Sequence, residues 1–103
     1  MSYVTSVVYL KGTSFNMDYY LSTHMPLVQK EWGPYGLKSW KVAKYTSPDA
    51  AYSVQAWLEW ESQGHFEKAK ASTSNDTVFA DVPNFSDKGP ELLAGEVVGS
   101  AVC

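Results

Sequence analysis

The segment YSVQAWLEWE, residues 52–61, has the clearest pattern in the chain, because apolar residues alternate with mostly polar ones. Side chains along a β-strand point to opposite faces in turn, so this alternation predicts a strand with one face in a core. The opposite face is polar except for Trp57. The core face carries Tyr52, Val54, Ala56, Leu58 and Trp60.

Working outward, three further segments are typical of strands. Tyr3–Leu10 is rich in Val and Tyr and stops at a Lys-Gly pair. Residues 37–46 precede a Ser-Pro-Asp turn, and residues 91–102 form a last strand interrupted by glycine.

A helix is predicted after the first strand. Asn16 is a good N-cap, Asp18 suits the positive end of the helix dipole, and Phe15 can pack on Tyr20. Pro26 lacks the N–H that a helix needs and disfavours helical angles at the residue before it, which predicts a kink at residues 24–25. The turn at residues 33–36 ends the helix. Apolar residues recur at helical spacing, with His24 in the same stripe: Met17, Tyr20, Leu21, Leu27 and Val28.

A second helical region follows the strand at residues 52–61. Ser62 can cap a helix that buries Phe66 and Ala69, and Ser74 can cap a short helix before Pro83. The order predicts an α+β, ferredoxin-like βαββαβ domain over residues 1–103, with a four-stranded antiparallel sheet and helices on one face. The other face, with Trp57, would be covered by the same face of a second copy, which predicts a homodimer with a cavity between two sheets.

Composition excludes several classes of function. The charged fraction is 18%, the aromatic fraction is 15%, and the net charge is −3 with eight Lys and no Arg. An acidic chain without Arg lacks the charge pattern of a nucleic-acid binder. A single cysteine at the last position cannot form an intrachain disulfide. Neither a secretory signal nor a membrane-spanning run is visible, so we expect a cytoplasmic protein with no membrane partner.

The stretch FNMDYYLSTHMPL, residues 15–27, resembles the signature of the EthD family, named after ethyl tert-butyl ether degradation. The stretches DVPNF, residues 81–85, and GEVV, residues 95–98, resemble the end of the same domain. Asn16 stands where Asp is common in the family, a change that preserves the helix cap.

This resemblance implies a dimeric α/β barrel of two ferredoxin-like chains, each with a pocket between its sheet and its helices. Its members accompany the degradation of ethers and aromatics, some are labelled oxidoreductases, and some act as decarboxylases in polyketide tailoring. Related barrels include monooxygenases that need no cofactor, an isomerase and haem-degrading enzymes. Because this is an analogy between folds, it leaves the reaction open.

His24 is the main catalytic candidate, because a histidine in an apolar pocket can move protons near neutral pH. The carbonyl freed by Pro26 would fix the tautomer of its ring. The alternative is a buried histidine that only holds the kink. Tyr20 shares its helix face and can orient a substrate oxygen, or it only packs on Phe15.

Four further residues are candidate substrate contacts, each with a structural alternative. Trp40 and Trp57, on strands predicted to be central, can stack on a planar ligand or fill a dimer interface. Lys41 can hold a carboxylate or phenolate, or guard an edge strand. Asp81 can act as a second acid–base group or end a helix.

No spacing of ligands for a metal and no glycine-rich nucleotide loop is present, so we expect no cofactor. The first hypothesis is therefore an enzyme that acts on an aromatic or apolar metabolite by acid–base chemistry: decarboxylation, isomerisation or cyclisation, or oxygenation. The second is a non-catalytic accessory protein that binds a hydrophobic ligand for a partner enzyme. The third is an interaction module whose pocket is filled by its own core.

Overall fold

The computed structural model describes residues 2–103 and contains one four-stranded antiparallel sheet. Its strands lie in the order β2-β3-β1-β4, which places β1 and β3 at the centre and β2 and β4 at the edges. The predicted α+β, ferredoxin-like fold is confirmed. The strands are β1 (Tyr3–Leu10), β2 (Leu37–Lys44), β3 (Tyr52–Trp60) and β4 (Glu91–Glu96).

The helices pack on one face of the sheet. A continuous helical segment follows β1, and two helices joined by a short turn lie between β3 and β4. Within residues 2–103, no helix is both long and apolar enough to cross a membrane. The helical elements are α1 (Met17–Tyr19), a π turn (Tyr20–His24), α2 (Met25–Trp32), α3 (Gln63–Lys70), α4 (Thr73–Ala80), and 3-10 turns at Gly33–Tyr35 and Val82–Asn84.

The alternation that predicted β3 places its apolar side chains under the helices. Val54, Leu58 and Trp60 are each at most 3% exposed. The indole N–H of Trp60 donates to Thr5 Oγ1 at 3.1 Å, which satisfies two polar groups inside the core. The sheet therefore presents a closed face to the helices and an open face that carries Trp57.

The beginning of the first helical segment is as predicted. The side chain of Asn16 accepts a hydrogen bond from the Tyr19 backbone N–H at 3.1 Å. The rings of Phe15 and Tyr20 pack with their centroids 4.9 Å apart. These two contacts fix where the helix starts and how it approaches the core.

The prediction that Pro26 moves Met25 out of helical angles is wrong. His24 and Met25 both have helical dihedral angles, with φ and ψ of −69° and −49° and of −66° and −38°. The chain instead widens into a π turn, in which the Met25 N–H donates to the carbonyl of Tyr20. The extra residue in this turn accommodates the irregularity next to Pro26 while the helix continues.

Several predicted ends are also corrected. The last strand ends at Glu96 rather than at residue 102, because its neighbour β1 begins at Tyr3, the residue paired with Glu96. Helix α4 is preceded by Ser72 rather than capped by Ser74, which lies inside the helix. The Ser72 hydroxyl donates to the carbonyl of Ala69 at 2.6 Å and holds the junction between the two helices. β2 and β3 end at residues 44 and 60, slightly before their predicted ends.

Gly36 provides a test of this packing, because it has φ +96° and a Cβ there would lie 2.6 Å from the His65 ring. We expect Gly36→Ala to lower the free energy of unfolding by at least about 1–2 kcal/mol, from the left-handed backbone and the clash. Gly64→Ala is the matched control, because Gly64 lies inside α3 and a Cβ there meets only Ser62 Oγ, at an ordinary contact distance of 3.7 Å. It should be neutral or slightly stabilising. Urea unfolding of both variants measures the difference, and equal effects would contradict the packing.

Candidate active site

His24 is the last residue of the π turn and lies in the core, where it is 4% exposed. Its ring stacks on Tyr20, with centroids 5.3 Å apart and an interplanar angle of 16°. The ring of Phe85 covers it from another side at 4.5 Å. Two aromatic side chains thus hold the imidazole in one orientation. The prediction that His24 faces the core is confirmed.

Asp81 follows α4 and reaches His24 across the helical layer. Its Oδ2 lies 2.9 Å from His24 Nδ1. Its Oδ1 accepts hydrogen bonds from the Tyr19 hydroxyl at 2.7 Å and from Asn84 Nδ2 at 2.8 Å. The expectation that a carbonyl freed by Pro26 fixes the tautomer is therefore wrong, because the Nδ1 partner is this carboxylate.

The surroundings of Asp81 stabilise its charged form. Partial burial favours the protonated acid, but hydrogen bonds from Asn84, Tyr19 and His24 outweigh it and hold the pKa of this carboxyl below its ordinary value. The hydrogen bond from Tyr19 to Asp81 raises the pKa of the Tyr19 phenol, and burial and the negative charge of Asp81 act in the same direction. The phenol therefore stays protonated and donates to Asp81. Asp81 is therefore a carboxylate at neutral pH.

Burial has the opposite consequence for His24. It lowers the pKa of the imidazole, although the hydrogen bond and the negative charge of Asp81 act to raise it. The ring is consequently neutral at pH 7. Because Asp81 is an ionised acceptor, the proton of the neutral ring belongs on Nδ1, which leaves the lone pair on Nε2.

A small cavity lies between the sheet and the helical layer, next to this ring. Its volume is about 20 Å³, room for one water molecule. Within residues 2–103 no hydrogen bond is made by His24 Nε2. Burial raises the pKa of the Tyr20 phenol, so this side chain stays protonated. Tyr20 and His24 line this cavity together with mostly apolar side chains from the sheet and the helices. These are Val7, Tyr9, Met25, Val28, Trp32, Ala56, Leu58, Val78, Phe79 and Val82.

A larger cleft adjoins this cavity. It has a volume of about 240 Å³ and opens between β4 and the helices α3 and α4. Four side chains line both spaces: Val7, Trp32, Leu58 and Phe79. A molecule in the cleft therefore lies beside the His24 cavity.

The six residues predicted for the site fall into two groups. Tyr20, His24 and Asp81 lie together, as described above. Trp40, Lys41 and Trp57 instead line a groove of about 440 Å³ with Val4, Ser39 and Glu59, away from the His24 cavity. The expectation that Trp40 lies on a central strand is wrong, because β2 is an edge strand. Its indole N–H donates to Gln29 of α2 at 3.3 Å.

Three residues that build the site were not predicted from the sequence. Tyr19 and Asn84 donate hydrogen bonds to Asp81, and Phe85 packs on the imidazole. All three belong to the two stretches that carry the family resemblance, residues 15–27 and 81–85. Because both stretches belong to the same family resemblance, the sequence did indicate that residues 15–27 and 81–85 could lie together.

Among residues 2–103, no group of three or more histidine, cysteine, aspartate or glutamate side chains is placed to hold a metal ion. His24 and Asp81 form a pair of two such side chains. The other partners of Asp81 are the phenol of Tyr19 and the amide of Asn84.

No family model matches the chain, and no curated protein matches it. Solved structures do. An EthD-like protein from Ralstonia eutropha is 24% identical with a TM-score of 0.82, over 97% of this chain and 95% of that one. An EthD family protein from Bacillus halodurans is 20% identical with a TM-score of 0.71, over 95% and 99%. A Nitrosomonas europaea protein, provisionally named an antibiotic biosynthesis monooxygenase, is 12% identical with a TM-score of 0.56, over 94% and 90%.

The chain therefore has the fold of the EthD-like proteins. The resemblance first found in residues 15–27 extends, at the level of the fold, over nearly the whole chain. At these identities the likeness establishes the fold and no activity.

The His24–Asp81 pair can be tested by titration. In His65→Gln, His24 is the only histidine, so its ring protons can be followed by NMR as the pH changes. We expect a pKa below the ordinary 6.5, and a further fall when Asp81→Asn is added, because the charge that favours the imidazolium is then removed. An unchanged or higher pKa in the double variant would contradict the pairing.

The lowered pKa of His24 also determines how the free energy of unfolding changes with pH. The folded chain binds the His24 proton more weakly than the unfolded chain does, so the stability contributed by neutral His24 is complete above about pH 6.5 and is lost as the pH falls. The lowered pKa of Asp81 acts in the same direction at more acidic pH.

Proposed function

We propose that this chain is a small-molecule enzyme of the EthD type that acts on an aromatic or otherwise apolar metabolite by proton transfer, without a cofactor. The observation that carries the proposal is His24 itself: a buried neutral imidazole, bonded through Nδ1 to Asp81, beside an apolar cavity. Such a group is a general base at neutral pH.

In this proposal, Nε2 of His24 accepts a proton from the substrate. The imidazolium that forms is stabilised by Asp81, which stays ionised because Tyr19 and Asn84 donate to it. His24 then returns the proton to another atom of the substrate. Decarboxylation, isomerisation or cyclisation, and oxygenation of an electron-rich substrate all need such a step.

Tyr20 is assigned a positioning role. Its ring stacks on the imidazole, and its phenol stays protonated. A buried hydroxyl in the cavity lining can donate a hydrogen bond to an oxygen of the substrate. Asp81 is likewise a positioning residue, because it acts through His24.

Proton abstraction can be measured with 5-nitrobenzisoxazole, a small neutral aromatic compound that opens to a coloured phenolate when a base removes its carbon-bound proton. We expect His24→Gln to lower kcat/KM by about 10²–10⁴-fold, the usual contribution of a general base. His65→Gln is the matched control, because His65 is exposed and lies outside both the cavity and the cleft. It should keep the wild-type rate.

The pH profile adds a readout that a purely structural role would not change. Activity should fall as the pH drops through the lowered pKa of His24. In Asp81→Asn the acid limb should move to lower pH while the rate falls, because the imidazolium loses its negative partner. Equal rates for the wild type and a folded His24→Gln would contradict the proposal.

A second candidate function is a non-catalytic protein that binds a hydrophobic ligand for a partner enzyme. The observation that favours it is the small size of the cavity at His24, which admits one water molecule, beside a cleft that is about twelve times larger. This candidate predicts binding in the cleft with no turnover of the probe and no effect of His24→Gln.

We also propose that two copies of this chain pair through the open faces of their sheets. That face carries Trp57 and the exposed Leu93, together with charges of both signs at Lys41 and Glu59. A two-fold pairing can set Lys41 against the partner's Glu59, and it would enclose the groove between the two sheets. The predicted substrate contacts Trp57 and Lys41 belong to this second cavity, whereas the Trp40 ring packs against the core at its edge. A cytoplasmic location and the lack of nucleic-acid partners stay predictions.

The pairing is tested by light scattering after gel filtration. The wild type should have the mass of two chains, and Trp57→Glu, which buries a charge in the proposed interface, should have the mass of one. Leu21→Glu is the control, because Leu21 is exposed, at 44%, and lies on the helical layer. A monomeric wild type, or a dimer that Trp57→Glu leaves intact, would overturn the pairing.

A further inference from the structure

We propose that the 240 Å³ cleft between β4 and the helices α3 and α4 binds a small apolar organic acid, with Trp32 donating its indole N–H to the ligand and Lys70 pairing with its acid group. This inference rests on the proposed function, because it names the class of substrate that would reach His24. It is carried by the residues that line the cleft.

The cleft exists because β4 has no helix above it. Leu92 pairs with Val7 in the sheet, and Val7 lines the covered face, yet Leu92 is 53% exposed. Its apolar side chain borders an opening instead of a core. The floor is formed by the sheet, with Thr5, Leu58 and Ala94, and the wall by the helices, with Phe66 and Phe79.

The volume and the lining indicate a small ligand. Pockets for small molecules usually measure about 300–1,000 Å³ and are mostly apolar with a few polar groups. This cleft lies just below that range, which suits a body of one or two rings. The polar side chains that border it are Thr5, Trp32, Lys70 and Asn75.

Trp32 supplies a donor that the fold leaves unused. Its side chain is 5% exposed, and its indole Nε1 is buried with no hydrogen-bond partner among residues 2–103. Trp60, the neighbouring buried tryptophan, does have one, in Thr5. A buried donor without an acceptor is uncommon in native proteins. Because Trp32 lines both the cleft and the His24 cavity, an oxygen of a bound ligand can accept this hydrogen bond.

Lys70 gives the cleft its charge preference. It is the one charged residue in the lining of the cleft, and it forms no ion pair within residues 2–103. The chain as a whole carries a net charge of −3, so the positive charge at this apolar opening is opposite in sign to the net charge of the chain. It favours a carboxylate or another organic anion over a neutral or cationic ligand.

The arrangement also gives the ligand a direction. Its acid group lies at Lys70, on the exposed last turn of α3, and its body packs between Leu92 and Phe79. The end that passes Trp32 points to the cavity of His24, because Trp32 and Phe79 line both spaces. The reacting atom is therefore at the opposite end of the molecule from the acid group.

The test uses 2-naphthoate and its neutral analogue 2-naphthamide as probes, with binding followed in proton–nitrogen correlation spectra of the indole N–H groups. Four tryptophans give four indole signals, and Trp32→Phe identifies the one that belongs to Trp32. We expect 2-naphthoate to shift the Trp32 signal and to bind about two- to fivefold more tightly than 2-naphthamide, the usual contribution of an exposed ion pair.

Lys70→Gln should remove most of this preference for the acid. Lys68→Gln is the matched control, because Lys68 lies on the same helix, is exposed and does not line the cleft. Leu92→Glu is a second variant on an exposed position, and its negative charge should also weaken binding of 2-naphthoate. Leu21→Glu, an exposed leucine on the helical segment after β1, should leave it unchanged.

The inference is overturned if 2-naphthoate leaves the Trp32 signal unshifted, or if Lys70→Gln binds it as tightly as the wild type does. These outcomes are separate from those of the proton-transfer assay. His24-dependent turnover of 5-nitrobenzisoxazole without acid binding in the cleft would overturn this inference alone. Acid binding in the cleft without His24-dependent turnover would overturn the enzymatic proposal and leave a ligand-binding protein.

Discussion

The carboxylate of Asp81 joins the two helical segments that lie on the sheet. It is 2.9 Å from the His24 imidazole in the first segment and accepts the Tyr19 hydroxyl of the same segment at 2.7 Å. It also accepts Asn84 at 2.8 Å, which orders the turn that follows α4. Hydrogen bonds to a charged acceptor are the stronger kind, and these converge on one side chain that is partly shielded from water. The position of the imidazole depends on them.

Around this polar centre the packing is aromatic. Phe85 contacts His24, Tyr20 and Phe15, and Tyr9 of the central strand closes the same cluster. Rings of this size exclude water from the imidazole and limit its rotation. Burial and a charged partner thus act on one group with opposite effects on its pKa, the combination often found at catalytic histidines. The effect of burial is the larger one, so the imidazole is neutral at pH 7 and its free lone pair can accept a proton.

The sheet separates two regions with different chemistry. The covered side holds a neutral imidazole, a phenol and an apolar cleft bordered by a single lysine. The open side holds an aromatic groove with one charge of each sign, at Lys41 and Glu59. In the proposals above, the covered side recognises and transforms a small molecule, whereas the open side joins two chains. Trp40 on the edge strand β2 pairs with Leu58 and donates to Gln29 of α2, so its side chain lies on the covered side.

The sequence by itself determined the elements and their order, because hydrophobic period, caps and turns are local properties. The alternation in residues 52–61, the cap at Asn16 and the packing of Phe15 on Tyr20 all appear in the structure. It also placed His24 in the core, since helical spacing relates residues a turn apart. The end of the last strand was misjudged, because a strand ends where its neighbour does.

Tertiary structure alone decided which groups act together. Asp81 lies 57 positions from His24, and no periodicity relates residues at that separation. The same holds for Trp40, whose place in the sheet follows from strand order, and for Trp32, whose donor is left without an acceptor by its neighbours. A chemical site is a coincidence of distant segments in space, so local patterns can nominate its members, whereas only the packed chain determines their distances and protonation.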